Sequence, residues 1–329
     1  MIHRRNWLSL AAVVMATFSS ATFSSATWAQ GFPDRPIKLV VPFGAGSAVD
    51  TIARAIAAQA GEQMGQAIQI DNRTGANGII AAEAVARSAP DGYTLFMPND
   101  GIMAANPALY AKLPYDPVKD FAAITLTSTV PLVLVSHPSF AASTVQEFIA
   151  QAKAKPGALN FTSTGSGSAQ HLAMEFLIDA AGIKLTHVPH KAMGAALTDL
   201  MAGTIPVMFT GISNVVNLAK EGKVKVLAVS TPKRSPAMPS VPTIAESGVS
   251  GYGYAAWNGI VAPAGTPPEV IRRLHNEFAK AMANPAVRAK LGGLGFDLVG
   301  AGPQEFGELI RGDVVRLGRL VRTAGITVN

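Results

Sequence analysis

Twice in this chain a short apolar run leads through a loop of glycine and hydroxyl residues straight into a helical stretch. That arrangement constrains the fold more than any other feature. The first run, residues 37–43 (IKLVVPF), is rich in β-branched residues and lacks polar alternation, as expected of a strand buried on both faces. Gly44, Ala45, Gly46 and Ser47 follow, then an alanine-rich stretch to Gln63 that should stop near Gly65, with Asp50 placed to cap it. The second run, residues 159–163, passes through Thr162, Ser163, Thr164, Gly165, Ser166, Gly167 and Ser168 into a helix expected from Gln170 to Ala181.

The alternation around these runs sets the architecture. Strands at 67–71 and 93–97 flank a helix at 77–87 closed by the turn Ala89-Pro90-Asp91-Gly92, which argues for a parallel sheet with crossover helices. A second α/β unit reads as strands at 131–136, 159–163, 186–188, 205–209 and 225–230, with helices at 144–153, 170–181 and 195–201. After a Pro/Ser-rich stretch at 231–242 come a short strand at 259–262 and helices at 268–283 and 303–322. A chain of 329 residues exceeds the ~250–300 that one core usually holds, so two lobes are expected. Residues 30–130 with 250–329 form lobe 1 and residues 131–249 lobe 2, the backbone crossing near 128–131 and again near 248–256. Paired crossings make a hinge that can close on a ligand.

The first thirty residues read as a secretory leader: His3, Arg4 and Arg5, an apolar stretch from Trp7 to Phe18, then small residues with cleavage after Ala29, Ser24 and Ala26 offering a competing site. Residues 1–29 are thus a signal peptide and the destination is the periplasm. The chain has no cysteine, which excludes disulfides, thiolate catalysis and a lipid anchor on cysteine. The net charge is +6, of which Arg4 and Arg5 carry two in the leader; no basic block remains, so nucleic acid is disfavoured as a partner while anionic solutes are favoured.

Each glycine loop sits where a helix begins, and free amides together with the helix dipole attract anions there without a charged side chain. One loop in each lobe would grip an anion from both sides, although glycines in such loops are often only tight turns and Ser168 is equally placed to cap its helix. The dinucleotide fingerprint fails because Val49 stands where a third glycine is needed, and the phosphate-loop Gly-Lys-Ser/Thr is missing. His171, His187 and His190 lack metal-ligand spacing, so a structural or ligand-contacting role is expected and no metal or cofactor. No Gly-x-Ser-x-Gly elbow occurs and Ser166 has no identifiable base, which weakens an exported hydrolase.

Several runs, in order along nearly the whole mature chain, resemble the substrate-binding family of the tripartite tricarboxylate transporters, the Bug receptors. They are RPIKLVVPF at 35–43 with its loop and Asp50, NRTGA at 72–76, APDGYTL at 89–95, LPYD at 113–116, His171-Leu172, HVP at 187–189, DLMAG at 199–203, VPTI at 241–244, WNG at 257–259 and PAGTP at 263–267. The resemblance implies an α/β, two-lobe type II periplasmic-binding-protein fold with the ligand cleft between lobes. It implies capture of a small organic carboxylate by backbone amides, hydroxyls and water, and delivery to membrane permease subunits; a ligand-dependent co-sensor for a sensor kinase is the alternative role. Carried over by position, the contacts are Phe43, Gly44, Ala45, Gly46, Ser47, Asn99 and Asp100 in the first lobe. In the second they are Ser163, Thr164, Gly165, Ser166, Gly167 and Ser168, with Ala195 and Thr210. The chain departs from the family pattern at Gly44 (commonly proline), at Gly46-Ser47 (a double glycine), at His190-Lys191-Ala192 (Tyr-Lys-Gly) and at Thr210, where an acid is frequent. Losing that acid suits a ligand without an amino group.

Overall fold

A computed structural model describes residues 31–190 and 192–327. The leader and its cleavage site lie outside the described residues. Eleven strands in the described residues form two sheets. The first contains β1 (Ile37–Val41), β2 (Ile68–Asn72), β3 (Thr94–Phe96), β4 (Phe121–Val130), β10 (Ala256–Pro263) and β11 (Asp297–Ala301), in the order β11-β4-β10-β3-β1-β2. The second contains β5 (Leu132–Ser136), β6 (Asn160–Ser163), β7 (Thr186–Pro189), β8 (Val207–Gly211) and β9 (Lys225–Val229), in the order β7-β6-β8-β5-β9.

Parallel pairing is confined to the βα units: β1 with β2 and β3, and β6 with β7 and β8. β10, β4 and β11 pair antiparallel, as do β5 with β8 and β9, so both sheets are mixed rather than all parallel. The reason is the crossing: a strand entering from the other lobe arrives from the hinge end and runs against its neighbours. The two sheets repeat one plan. β1 lies between β2 and β3, with β10 antiparallel beyond β3; β6 lies between β7 and β8, with β5 antiparallel beyond β8.

Each sheet is covered on both faces. Leu39 and Val41 point to one side, against Ile52 and Ile56 of α1 (Ala48–Met64) and Leu274 and Phe278 of α8 (Pro268–Ala283). Val40 points to the other, against α2 (Ile79–Ala86) and Phe306 and Ile310 of α10 (Pro303–Thr323). Such period-two alternation with apolar residues on both faces is the pattern of a sheet sandwiched by helices, each fully buried Ile or Phe contributing about 1.5–3 kcal/mol. In the second sheet Leu132 and Leu134 face α4 (Val145–Ala154) and α5 (Ala169–Ala181). Val133 and Val135 face α6 (Met193–Ala202) and α7 (Ile212–Lys220). The remaining helices are the short α3 (Asn106–Leu109), which follows a π-helical turn at Gly101–Ala105, and α9 (Pro285–Gly292).

Only Pro131 separates β4 from β5. The return runs beside it: Ser230 Oγ accepts from the Leu132 amide, the Tyr254 amide donates to the Ser230 carbonyl, and Ala256 pairs with Val130. The hinge is therefore a pair of adjacent extended segments. α10 also spans the junction, Leu317, Leu320 and Val321 sharing one apolar cluster with second-lobe residues such as Phe161 of β6 and Leu172 of α5.

Candidate ligand-binding cleft

The carboxyl ends of β1 and β3 lie at the hinge end of the first sheet, where β10 begins; Asn99 just past β3 bridges to Asn258 of β10. The carboxyl ends of β6 and β8 lie at the hinge end of the second sheet, Gly211 of β8 pairing with Leu132 of β5. With one residue between β4 and β5, these ends face each other across the hinge, and a crevice outside the carboxyl ends of parallel strands is where α/β sheets bind ligands. The loops after β1 and β6, equivalent in the two sheet plans, thus stand opposite one another. The lobes touch beside them: a Cβ added to Gly167 would lie 2.6 Å from Leu109 Cδ1, and one added to Gly295 would lie 3.5 Å from Ser213 Cβ.

The first loop is held from beneath. Ser47, not Asp50, caps α1: its Oγ accepts the Asp50 amide at 3.2 Å. Asp50 is 2% exposed and instead takes the Gly46 amide at 2.8 Å, Arg54 Nε at 2.9 Å and Asn72 Nδ2 at 2.9 Å. Asn72 also donates to the Phe43 carbonyl and accepts from Arg54. Burial pushes the Asp50 carboxyl up, but the bonds from Arg54, Gly46 and Asn72 outweigh it and hold the group below the usual carboxylate range. Gly44, Ala45 and Gly46 are exposed, Phe43 and Ser47 half-buried, and among the described residues no hydrogen bond engages the Gly44 and Ala45 amides. Gly46 has φ +83°, a left-handed conformation that glycine tolerates best.

The second loop has a parallel construction. Ser168 caps α5, its Oγ accepting the His171 amide at 3.4 Å, while His171 Nδ1 accepts the Gly167 amide at 3.1 Å. Ser163 is fully buried, and its Oγ meets His187 Nε2 at 2.7 Å and the Gly165 amide at 3.1 Å. Thr164 Oγ1 donates to Gln170 Oε1, Gly165 is half-buried, Gly167 is buried and Ser166 is exposed.

Not every expected contact faces the cleft. Asn99 is half-buried, with Oδ1 accepting the Ile102 amide. Asp100 is enclosed: 1% exposed, it accepts a 2.5 Å bond from Tyr254 Oη in the return crossing, and burial raises its carboxyl to about 6. Thr210 is fully buried on β8, bonded to Asn214 Nδ2 and Met193 Sδ, whereas Ala195 is exposed on α6. His190 Nε2 lies 2.9 Å from Asp199 Oδ2. No group of three or more potential metal ligands occurs among the described residues. Arg54 and Asn72 build the first loop without being among the residues the sequence points to. Asn72 carries a visible signal in the NRTGA run, whereas Arg54 looks like any exposed basic residue of an amphipathic helix.

A concavity of about 830 Å³ around Phe32, Arg35, Asp91 and Tyr93 lies at the far end of the first lobe. Another of about 560 Å³ sits between Tyr110, Pro114, Val118 and Val314. Neither touches the loops of the cleft.

Two lobes of one plan, joined by adjacent crossings and presenting amide-rich loops to each other, define a two-lobe solute-binding protein. Residues 52–326 match the tripartite tricarboxylate transporter family receptor, and the chain belongs to that family. Among curated proteins it is 32% identical to BugT of Bordetella pertussis over 97% of this chain and 98% of that one. Among solved structures it is similar to an R. palustris protein determined with adipate, with 35% identity and a TM-score of 0.78 over 90% of this chain and all of the other. It is likewise similar to MatC from Rhodopseudomonas palustris with bound malate, with 34% identity and a TM-score of 0.74 over 88% of this chain and all of the other.

Proposed function

We propose that this chain is a periplasmic receptor that closes its lobes on a small organic carboxylate and presents it to the membrane permease subunits of a tripartite tricarboxylate transporter. The observation that carries this reading is the opposition of two equivalent loops, Phe43 to Ser47 and Ser163 to Ser168, each opening a helix of at least thirteen residues. Helix starts and loop amides together favour an anion. The free Gly44 and Ala45 amides would supply first-lobe contacts, with Gly46, Ser47, Phe43 and Asn99 beside them; the exposed Ser166 would lead the second-lobe contacts, with Gly165 and Gly167, whose amides are already bonded, shaping the loop and Thr164 and Ala195 at its margin. The adipate and malate held by the two related structures support the same ligand class. Asp100, Ser163 and Thr210 act on this reading by shaping the loops, since they are buried and their polar atoms are bonded within the protein, whereas the half-buried Ser168 hydroxyl, like that of Ser47, accepts a cap bond and keeps its proton for a ligand.

A hydrolase reading would rest on the Ser163–His187 contact, but that hydroxyl is fully buried and is shared with Gly165, leaving no room for a substrate carbonyl. A permease and a sensor kinase would both read the same closed lobes, and the description of the family as a transporter receptor supports the permease.

The test is a thermal-shift screen of the protein beginning at Gln30, unfolded and refolded to strip bound solute, against aliphatic di- and tricarboxylates, aromatic acids and amino acids. A ligand at a hundred times its dissociation constant should stabilise the folded state by about 2.7 kcal/mol. A shift confined to carboxylates without an amino group is expected. Absence of a shift with every acid overturns the reading.

A further inference from the structure

His171 and His187 come from different elements yet stack face to face, ring centroids 3.8 Å apart and planes within 11°. Phe161 of β6 extends the stack, 4.8 Å from His187 and 5.9 Å from His171. Each imidazole ends on the second ligand loop. His187 Nε2 reaches Ser163 Oγ, which also receives the Gly165 amide, and His171 Nδ1 receives the Gly167 amide. Accepting at Nδ1 places the His171 proton on Nε2, which faces Glu175 Oε1 at 3.3 Å. In sequence terms His171 is the third residue of α5, where a reciprocal cap usually carries glutamate or glutamine reaching back to the backbone. An imidazole reaches back here instead, without bringing a negative charge to a loop expected to hold an anion.

We infer that the stacked His171–His187 pair is the positioning device of the second ligand loop: His171 accepts the Gly167 amide directly, His187 braces the Ser163 hydroxyl that accepts the Gly165 amide, and together they fix the loop backbone in the orientation that presents it to an anion. The inference rests on the carboxylate reading for its ligand, and on geometry alone for its action on the loop. Burial, and then the neighbouring His171, lower His187 to about 4, so the ring facing Ser163 stays uncharged at neutral pH. The groups packed around the pair are Phe161 and Ser163 from β6, Gly165 and Gly167 from the loop, and Glu175 from α5. Glu175 is the acid among them, and it holds the outer nitrogen of His171 rather than the one serving the loop.

Two substitutions separate the hydrogen bond from the stack. His171→Phe keeps an aromatic ring against His187 and removes the acceptor; His171→Asn gives up the stack and keeps an acceptor near the Nδ1 position. Amide hydrogen exchange of Gly167 and titration with malate and adipate are measured on both and on the unsubstituted protein. Losing one such bond corresponds to about a tenfold effect. The expected result is Gly167 exchange about tenfold faster and binding about tenfold weaker in His171→Phe, with Tm lowered by only the few degrees that one unpaired amide implies and with both properties recovered in His171→Asn. A His171→Phe protein whose Gly167 amide stays as protected as before overturns the inference, as does binding that falls only in step with thermal stability. Exchange needs no ligand, so a failed carboxylate screen would refute the functional reading while leaving this measurement decisive for the loop. If His171→Phe does not fold, His171→Asn decides: loss of Gly167 protection there refutes the role assigned to the acceptor.

Discussion

Replacing Asp50 with asparagine preserves volume and changes only what one buried group can accept. The carboxylate takes Gly46 and Arg54 on Oδ2 and Asn72 on Oδ1. An amide accepts on one side only. With its oxygen kept toward Gly46 and Arg54, its NH2 would meet the Asn72 NH2 where a 2.9 Å hydrogen bond now stands. Turning Asn72 round to relieve this would break its bonds to the Phe43 carbonyl and from Arg54. One buried donor left unpaired costs about 1–3 kcal/mol, and the two surviving bonds lose their charge assistance, so a total near 3 kcal/mol is expected. At about 2–4 °C per kcal/mol for a protein of this size, Asp50→Asn should lower Tm by roughly 6–12 °C at pH 7. Because the native carboxyl is held below its ordinary 3.8, its stabilisation is present above that value and is lost as pH falls through and below it; the variant should lack this acid-dependent component. Scanning calorimetry at neutral pH and near pH 3 measures both. A Tm within about 1 °C of the unsubstituted protein at pH 7 would refute the view that this network supports the first loop.

Gly46→Val meets open space but must adopt φ near +83°, so it should distort the loop, destabilise by roughly 1–2 kcal/mol and abolish carboxylate binding; calorimetric titration with unchanged affinity would remove the first loop from the site. Asp100 binds its proton more tightly folded than unfolded, so stability should fall as pH rises from 3.8 toward about 6, by roughly 3 kcal/mol in all. Asp100→Asn should flatten that slope and raise stability at pH 7, because an amide oxygen can still accept from Tyr254; urea melts between pH 4 and 7 that show the slope intact would refute this.

The strand-loop-helix units were legible because burial on both faces and glycine at a helix start leave direct marks in composition. β1, β6 and α5 all stand within a residue or two of where hydrophobic runs and caps put them, while α1 ends where Gly65 predicts and starts three residues before the Asp50 cap would have it. β4 was not legible. Its sequence FAAITLTSTV buries Thr125, Thr127 and Ser128, whose polarity hides a central strand; Thr125 and Thr127 donate to the carbonyls of Ala301 and Asn258, far away in sequence. α7 begins directly after Gly211 of β8 without a capping side chain, and so left no start signal.

The site divides in the same way. Which loops open helices at the hinge ends of the two sheets follows from the sequence, because a strand, a glycine-rich turn and a helix start are all local signals. Which side chains reach a ligand does not. Asp50 and Ser47 are both good caps three residues apart, and only Arg54 and Asn72, arriving from α1 and β2, decide that the serine caps and the aspartate clamps. Asp100 reads as a cleft acid beside Asn99, yet Tyr254 on the returning crossing closes over it. Local patterns determine where strands, helices and their donor-rich junctions form; the pairing of buried polar groups depends on residues brought together from distant segments, and that only the packed lobes decide.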